Sequence, residues 1–258
     1  MLPIHMISLA KDTARRAEAC AQLNKQNITF DIFDALNGER GAALFDSLDD
    51  YAFILHTGRR YTQGEIGCFA SHKALWQRCV DENRALLVME DDFLLTPAFG
   101  PAVEAAETLI DELGLVRLQD ERRGAAQAVM PFGQFQLERY TKTPHCTLCY
   151  AISPRIARRL LDLHRVFRAP VDVVMKHVWQ FNNPMYCLTP YTVSSSDLSY
   201  DSVISGREKC PKTLLTRLRR SWLKTTWQWH RLVFNLRQSD TWIRRRFSTD
   251  GRRLPDAK

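Results

Sequence analysis

Short apolar segments alternate with segments of helix length through the first half of the sequence. Residues 3–9 predict a buried strand, residues 11–25 a helix and residues 28–33 a second strand. A helix over residues 64–82 then precedes a strand over residues 85–89. Strands that are separated by whole helices form a largely parallel sheet, which helices cover on both faces. The sequence therefore predicts an α/β fold.

The alternation continues with a helix over residues 98–113 and a strand over 115–118, and it becomes less regular after residue 130. Further strands are expected near 132–138, 147–152 and 185–193, and further helices near 154–164 and 170–181. No internal repeat or low-complexity linker divides this part of the chain. Its length suits one large domain over residues 1–206.

The C-terminal segment, residues 207–258, differs from the rest of the chain in charge. It holds 15 Lys and Arg against 4 Asp and Glu, whereas residues 1–206 hold 21 against 25. We expect a basic helix from residue 211 to about 237 and a short one over 240–247.

The pattern within that helix is amphipathic. Apolar residues follow one stripe, and cations lie opposite: the stripe is Leu215, Leu218, Trp222, Trp229, Leu232 and Leu236, and the cations are Arg217, Arg220, Lys224 and Arg231. Such a helix is typical of one that lies on an anionic membrane surface. The alternative is that the stripe packs on the body of the protein.

Three consecutive carboxylates, Glu90, Asp91 and Asp92, follow the strand over residues 85–89. In open α/β sheets, ligands bind beyond the carboxyl ends of the strands. Adjacent carboxylates repel one another unless a cation or hydrogen-bond donors lie among them, and hard divalent ions prefer oxygen ligands. The cluster therefore predicts a Mg²⁺ or Mn²⁺ site that also binds a diphosphate, with a solvated acidic loop as the alternative.

Glu65 and His72 lie seven residues apart in the helix over residues 64–82. This spacing places them on one helix face, two turns apart, so that both can face one cleft. Each also has a structural interpretation. A Glu in the first turn favours the helix dipole, and a lone His is commonly packed and hydrogen-bonded.

The cysteines indicate no extracellular framework. Seven are present, an odd number in a medium-sized chain, which fits reduced thiols better than disulfides. His145 precedes Cys146-Thr-Leu-Cys149, but no second pair of metal ligands completes a zinc site, and the alternation there favours a buried strand.

Taken in order, the blocks around these residues resemble glycosyltransferase family 25, the bacterial lipooligosaccharide and lipopolysaccharide core glycosyltransferases. The matching blocks are Met6-Ile-Ser-Leu9 with Arg15-Arg16, Phe33-Asp-Ala35 with Asn37-Gly38, Gly64-Glu-Ile-Gly-Cys68 with Ser71-His72, Leu87-Val-Met-Glu-Asp-Asp92, Cys149-Tyr-Ala-Ile-Ser153 and Pro170-Val-Asp172. The resemblance implies a GT-A fold, that is, a Rossmann-like nucleotide-binding sheet. It also implies a UDP-sugar donor, often UDP-galactose, and inversion at the anomeric carbon.

The resemblance also implies roles for individual residues. The uridine and ribose would contact the end of the first strand and the segment after the second, and the phosphates would contact an arginine; the residues concerned are Ser8, Leu9, Asp34, Ala35 and either Arg15 or Arg16. The family usually has Asn where this chain has Ser8, whose hydroxyl is a shorter hydrogen-bonding group.

The metal and the base complete the expected site. Asp92 is the preferred ligand of Mn²⁺ or Mg²⁺, with Glu90 beside it, and either Glu90 or Asp91 lies nearer the ribose or a coordinated water. For the base that removes the proton of the acceptor hydroxyl, Asp172 is preferred over Glu65 and His72. The preference rests on its position in the later half of the chain, where GT-A enzymes bind acceptors.

The sequence shows no secretory signal and no run of about 20 uncharged apolar residues. We therefore expect a cytoplasmic protein that binds peripherally to the inner face of the cytoplasmic membrane, where a lipid-linked oligosaccharide acceptor is presented. Two other functions are open. One is a nucleic-acid-binding protein that uses the tail, which the acidic body disfavours, so that no nucleic acid is expected. The other is a metal-dependent hydrolase.

Overall fold

The computed structural model describes residues 1–119, 124–196 and 213–255. Its elements, in chain order, are β1 (Ile4–Ser8), α1 (Thr13–Lys25), β2 (Asp31–Asp34), α2 (Gly38–Ala42), β3 (Ser47–Leu48), α3 (Asp50–Thr57), α4 (Gln63–Asp81), β4 (Leu86–Glu90), β5 (Phe93–Leu95), α5 (Phe99–Leu113), β6 (Leu115–Arg117), β7 (Ala125–Phe132), β8 (Phe135–Lys142), β9 (Cys149–Ile152), α6 (Pro154–Leu163), β10 (Val166–Phe167), α7 (Val171–Met175), β11 (Tyr186–Thr189), β12 (Val193–Ser195), α8 (Leu214–Leu236) and α9 (Ile243–Arg246).

The central sheet has eight strands in the order β2-β1-β4-β9-β6-β11-β8-β7. Strands β1, β2 and β4 are parallel, as are β6 and β11, whereas β8 and β9 run against their neighbours. Six of the eight strands thus point the same way. The predicted α/β fold with a mostly parallel sheet is confirmed.

Helices cover both faces of this sheet. Side chains alternate along β4, so that Leu87 and Met89 pack in one core with α1 and α5, and Leu86 and Val88 pack in a second core with α4 and α6. Strands that are buried on both faces have continuous apolar sequences, and the apolar run over residues 85–89 therefore predicted β4 well.

Three sequence predictions about the later half of the chain are wrong. The strand expected near residues 185–193 is divided into β11 and β12, which belong to different sheets. The single strand expected near residues 132–138 is a hairpin of β7 and β8, because Gly133 has a φ of 59° and turns the chain. The helix expected over residues 170–181 ends at Met175. The chain then continues in turns, with the amides of His177 and Gln180 each bonded to the carbonyl three residues before.

The predicted C-terminal helices are present as α8 and α9. Phe234, Ile243 and Phe247 are buried in the core of the body, and Arg139 forms an ion pair with Asp240 at 2.8 Å. The predicted domain boundary, after residue 206, lies outside the described residues and stays a prediction. Within residues 1–119, 124–196 and 213–255, no helix has the length and apolarity that crossing a bilayer requires.

Candidate active site

A cavity of about 330 Å³ lies at the carboxyl ends of β1 and β4. The register of the sheet brings these ends together, because Ser8 pairs with Asp34 of β2 and Ile7 pairs with Glu90 of β4. The predicted residues that line this cavity are Ser8, Leu9, Arg15, Ala35, His72, Glu90, Asp91 and Asp92. We call it the donor cavity, after the ligand that the sequence predicts for it. It occupies the place at which parallel sheets bind ligands.

The acidic cluster in the donor cavity contacts one arginine. Arg15 Nη2 lies 2.7 Å from Asp91 Oδ1 and 3.6 Å from Asp92 Oδ2. Asp92 Oδ1 is buried and has no hydrogen-bond partner among the described residues. Burial and the neighbouring Glu90 raise the pKa of Asp92 to about 6, although Arg15 opposes this shift. One arginine therefore leaves part of the cluster's negative charge unmatched.

Arg16 joins two of the residues that were expected to hold the nucleoside. It donates to the carbonyl oxygen of Ser8 at 2.9 Å and to Asp34 Oδ1 at 2.6 Å, and its Nε donates to Ser8 Oγ at 3.2 Å. Arg15 and Arg16 thus separate in role. Arg15 lines the donor cavity, whereas Arg16 holds the ends of β1 and β2 together.

Gly67 fixes the edge of the donor cavity next to the segment after β2. A Cβ at Gly67 would lie 2.3 Å from the carbonyl oxygen of Leu36, so only glycine permits this approach of α4. Ser71 of the same helix accepts a hydrogen bond from the Leu36 amide at 2.9 Å. Gly67 and Ser71, which both lie in the block from Gly64 to His72, therefore hold α4 close to the segment after β2.

Glu90 ends a buried chain of polar contacts. Trp76 Nε1 donates to the Tyr150 hydroxyl at 2.8 Å, and that hydroxyl lies 2.9 Å from His72 Nδ1. His72 Nε2 then lies 3.3 Å from Glu90 Oε1, which also accepts a hydrogen bond from Thr147 at 2.6 Å. Burial alone would raise the pKa of Glu90, but the contacts with His72 and Thr147 hold it below its ordinary value. Glu90 is therefore held as a carboxylate.

Glu65 has a structural role at the start of α4. Its carboxylate forms an ion pair with Arg59, and it completes a capping box with Thr62. His72 is fully buried. The structure therefore places Glu65 and His72 in the cavity walls, where Arg59 pairs with the Glu65 carboxylate and the Tyr150 hydroxyl contacts His72 Nδ1. His72 Nε2 has no hydrogen-bond partner among the described residues and lies 3.3 Å from Glu90 Oε1.

A second cavity, of about 720 Å³, lies beside the first and contains Asp172. We call it the wide cavity. Asp172 Oδ2 lies 3.0 Å from His145 Nδ1, and His145 Nε2 lies 2.8 Å from Lys176 Nζ. Burial would raise the pKa of Asp172, but the hydrogen bond from His145 and the charge of Lys176 hold it below its ordinary value. Asp172 is therefore an ionised group that faces an open volume.

The sequence interpretation missed His145 and Lys176 as parts of this cluster. His145 lies in the loop before β9, and the strand that the sequence predicts begins after it, at residue 147. Cys149 is buried within β9, whereas Cys146 is exposed. The sequence indicated His145 through its position alone, four residues before the block Cys149-Tyr-Ala-Ile-Ser153 that resembles the family. Residues of α8 also line the wide cavity, which the sequence did not indicate.

Cys68 and Glu90 line both cavities, so the donor and wide cavities meet there. Together with His72 they place one ligand atom each within 4.8 Å of one another. Burial and Glu90 raise the pKa of the Cys68 thiol well above its ordinary value, which makes it a poor ligand for a hard ion. For Mg²⁺ or Mn²⁺ the oxygen atoms of Asp92 and Glu90 are the better set, and the unpartnered Asp92 Oδ1 fits a cation.

Two adjoining clefts at the carboxyl ends of a mostly parallel sheet define the general class of an α/β protein with room for two substrates. The family can be stated directly. The chain belongs to glycosyltransferase family 25, because the family model "Glycosyltransferase family 25 (LPS biosynthesis protein)" matches residues 1–175.

Three curated relatives show the range of that family. The chain is 31% identical over 205 residues to "Lacto-N-neotetraose biosynthesis glycosyltransferase LgtB" of Neisseria gonorrhoeae, covering 70% of this chain and 67% of the relative. It is 36% identical over 93 residues to "Lipooligosaccharide biosynthesis protein lic2B" of Haemophilus influenzae, covering 35% and 34%. It is 26% identical over 227 residues to "Inactive glycosyltransferase 25 family member 3" of Mus musculus, covering 77% of this chain but only 38% of the relative.

Proposed function

We propose that this chain transfers a sugar from a UDP-sugar to a lipooligosaccharide or lipopolysaccharide core acceptor, with galactose as the first donor sugar to test. The observation that carries the proposal is the meeting of two cavities at Glu90. The smaller one lies where nucleotides bind in α/β sheets, and the larger one has the volume for an oligosaccharide. Membership in the family and the names of the bacterial relatives support the same reading.

Asp92 and Glu90 are the residues that would hold a divalent metal, Mn²⁺ or Mg²⁺, in the donor cavity. When bound, such an ion offsets the charge that develops on a leaving diphosphate. Arg15 supplies a fixed positive charge at the same place, 2.7 Å from Asp91. Ser8, Leu9 and Ala35 then line the part of the cavity in which we place the uridine and ribose.

Asp172 is our choice for the base. It is ionised, it lies in the wide cavity, and its hydrogen bond with His145 fixes its orientation. In the proposed reaction its carboxylate accepts the proton of the acceptor hydroxyl while that oxygen attacks the anomeric carbon from the face opposite the diphosphate, which inverts the configuration. Glu65 is a weaker candidate because Arg59 holds its carboxylate, and His72 is a weaker candidate because it is fully buried and its Nδ1 contacts the Tyr150 hydroxyl.

We further propose that the protein acts in the cytoplasm, at the inner face of the cytoplasmic membrane, through the apolar stripe of α8. All six stripe residues are exposed, at 50% to 77%: Leu215, Leu218, Trp222, Trp229, Leu232 and Leu236. The positive balance of residues 207–258 complements an anionic bilayer. An exposed row of large apolar side chains beside such charge is the arrangement of interfacial helices.

The test of transfer uses the purified chain, Mn²⁺, a panel of nucleotide sugars and truncated lipooligosaccharides. We expect release of UDP to require the acceptor, and the acceptor to gain the mass of one hexose. UDP release that is equally fast without acceptor would favour the hydrolase instead. No product with any pair would contradict the proposal.

A further inference from the structure

We propose that the wide cavity contains an anion-binding subsite, formed by Lys176, Lys224 and Arg231, that selects an acceptor bearing phosphate or carboxylate groups. This rests on the proposed function in one respect, namely that the acceptor occupies this cavity. It adds the chemical class of the acceptor.

The cations reach the cavity from two elements. Arg220, Lys224 and Arg231 are spaced by four and seven residues, so they share one face of α8, and all three line the cavity. Lys176 follows α7 and lines the same cavity. The four side chains therefore surround a common volume of about 720 Å³.

Within the described residues, the acidic groups of this cavity are already engaged. Glu65 is paired with Arg59, Asp172 is hydrogen-bonded to His145, and Glu90 contacts His72 and Thr147. Neither Lys224 nor Arg231 has a carboxylate within 4.0 Å in residues 1–119, 124–196 and 213–255. Positive charge is therefore in excess here.

Two further observations indicate an excess of positive charge in the wide cavity. Burial, with the charges of Lys142 and Arg231, lowers the pKa of Lys176 even though Asp172 opposes the shift. Arg220 Nε is buried without a hydrogen-bond partner among the described residues. Its guanidinium packs against Gly58, where a Cβ would lie 1.8 Å from Nη1. Cations that repel one another in a cleft are stabilised by a bound anion.

Aromatic rings lie beside these cations. The ring of Trp227 lies 5.0 Å from that of His56 and 4.5 Å from that of His177, and Trp179 lies 4.8 Å from His177. Burial lowers the pKa of His56 to about 4 and that of His177 to about 3, so both rings are neutral at pH 7. The cavity thus offers apolar ring surface next to positive charge, which suits a sugar that carries an anionic group.

Two of the three cations of the subsite, Lys224 and Arg231, belong to the C-terminal segment of this chain. Helix α8 lies beyond residues 1–175, which match the family model, so the family alone does not predict these cations. The exposed stripe of α8 lies on the other side of the helix from Arg220, Lys224 and Arg231. One helix therefore presents an apolar face outward and a cationic face to the cavity.

The experiment measures binding rather than turnover. A delipidated core oligosaccharide that carries phosphate and carboxylate groups is titrated into the protein by calorimetry, and so are three derivatives. One has its phosphates removed, one has its carboxylates reduced to alcohols, and one has both changes. The variants are Lys224→Gln with Arg231→Gln, a conservative Arg231→Lys, and Arg217→Gln as a control on the same helix that does not line the cavity.

We expect the parent chain to bind the anionic oligosaccharide at least tenfold more tightly than the fully neutral one. In the double variant this preference should fall below threefold, whereas Arg217→Gln and Arg231→Lys should keep most of it. The two single derivatives identify whether phosphate or carboxylate provides the preference. Thermal melting checks that each variant is folded.

Equal binding of charged and neutral oligosaccharides by the parent chain would overturn the proposal, as would an undiminished preference in the double variant. Failure to bind any of the four would overturn it as well. Charge-dependent binding without sugar transfer would instead contradict the proposed function and leave the subsite standing. Sugar transfer without any preference for the charged oligosaccharide would contradict the subsite and leave the proposed function standing.

Discussion

At the scale of single residues, Asp92 combines a buried carboxylate with an oxygen that has no partner among the described residues. Its pKa is raised from 3.8 to about 6. Between these values the native state binds a proton that the unfolded state has released, so stability falls as pH rises through this window. Above pH 6 the ionised group costs the native state up to ~3 kcal/mol.

We therefore expect Asp92→Asn to abolish transfer and to stabilise the metal-free protein at pH 7.5 by up to ~3 kcal/mol, with no difference near pH 4. Denaturant unfolding at both pH values measures this. Mn²⁺ should raise the melting temperature of the parent and leave the variant little changed. Retained transfer with the parent's Mn²⁺ dependence would reject Asp92 as a metal ligand.

Asp172 is the second residue that can be tested alone. Asp172→Asn keeps the shape of the side chain but removes the charge that accepts the proton. We expect a loss of about 10²–10⁴-fold in kcat, because a general base contributes that much, with little change in the KM for the donor. Glu65→Gln and His72→Ala serve as comparisons. If either loses more activity than Asp172→Asn while it remains folded, the base is misassigned.

At the scale of elements, α8 carries the proposed membrane contact. Replacing Trp222, Trp229 and Leu232 by Gln removes side chains that are 72%, 65% and 50% exposed, so the fold should tolerate the change. We expect at least tenfold weaker sedimentation with anionic liposomes. Binding of the parent should also weaken as salt rises.

The matched control replaces Leu94 and Leu163 by Gln, since these leucines are 45% and 43% exposed but lie on β5 and α6. Undiminished liposome binding by the α8 variant, or equal losses in both variants, would show that the stripe is not the contact. Deletion of residues 207–258 would be a poorer test because it also removes buried Phe234 and Phe247.

The elements that the sequence predicted well are those with a strong period. The apolar runs of β1 and β4 predict strands that are buried on both faces, and the amphipathic period of α8 predicts a helix and its exposed face. Helix α7 and the β7–β8 hairpin were less readily predicted. Their boundaries depend on a single turn or on a few hydrogen bonds, which leave little trace in a periodic pattern.

The two cavities of the candidate site also differ in how well the sequence predicts the residues that line them. The acidic cluster and the block from Gly64 to His72 are local in sequence, so the residues of the donor cavity could be chosen in advance. The wide cavity is built by distant segments: His145 from a loop, Lys176 after a short helix and Arg231 from α8. The helical period of α8 predicts an apolar face and a cationic face, but it does not predict which part of the protein each face contacts.

At the scale of the whole molecule, the C-terminal segment contributes to the main core. Phe247 is 1% exposed and its ring packs edge-on against Phe132 at 5.9 Å. We expect Phe247→Ala to lower the free energy of unfolding by about 3–5 kcal/mol. Denaturant unfolding followed by two probes should give one transition, because both parts share a core.

Ser248→Ala offers a control in the same segment, since among the described residues its side chain bonds within the adjacent turn alone. It should change stability by less than about 1 kcal/mol. A parent-like stability for Phe247→Ala, or two separated transitions, would support the independent tail that the sequence suggested.

The packing of Phe247 against Phe132 also sets an order of events during synthesis. The strands of the sheet and the donor cavity are encoded before residue 197, whereas α8, which lines the wide cavity, and Phe247, whose ring is buried, leave the ribosome after them. A nascent chain can begin to fold from its N-terminus, yet β7 and α5 keep apolar surface uncovered until residue 247 has emerged. The nascent chain can therefore form the donor cavity before the wide cavity is complete.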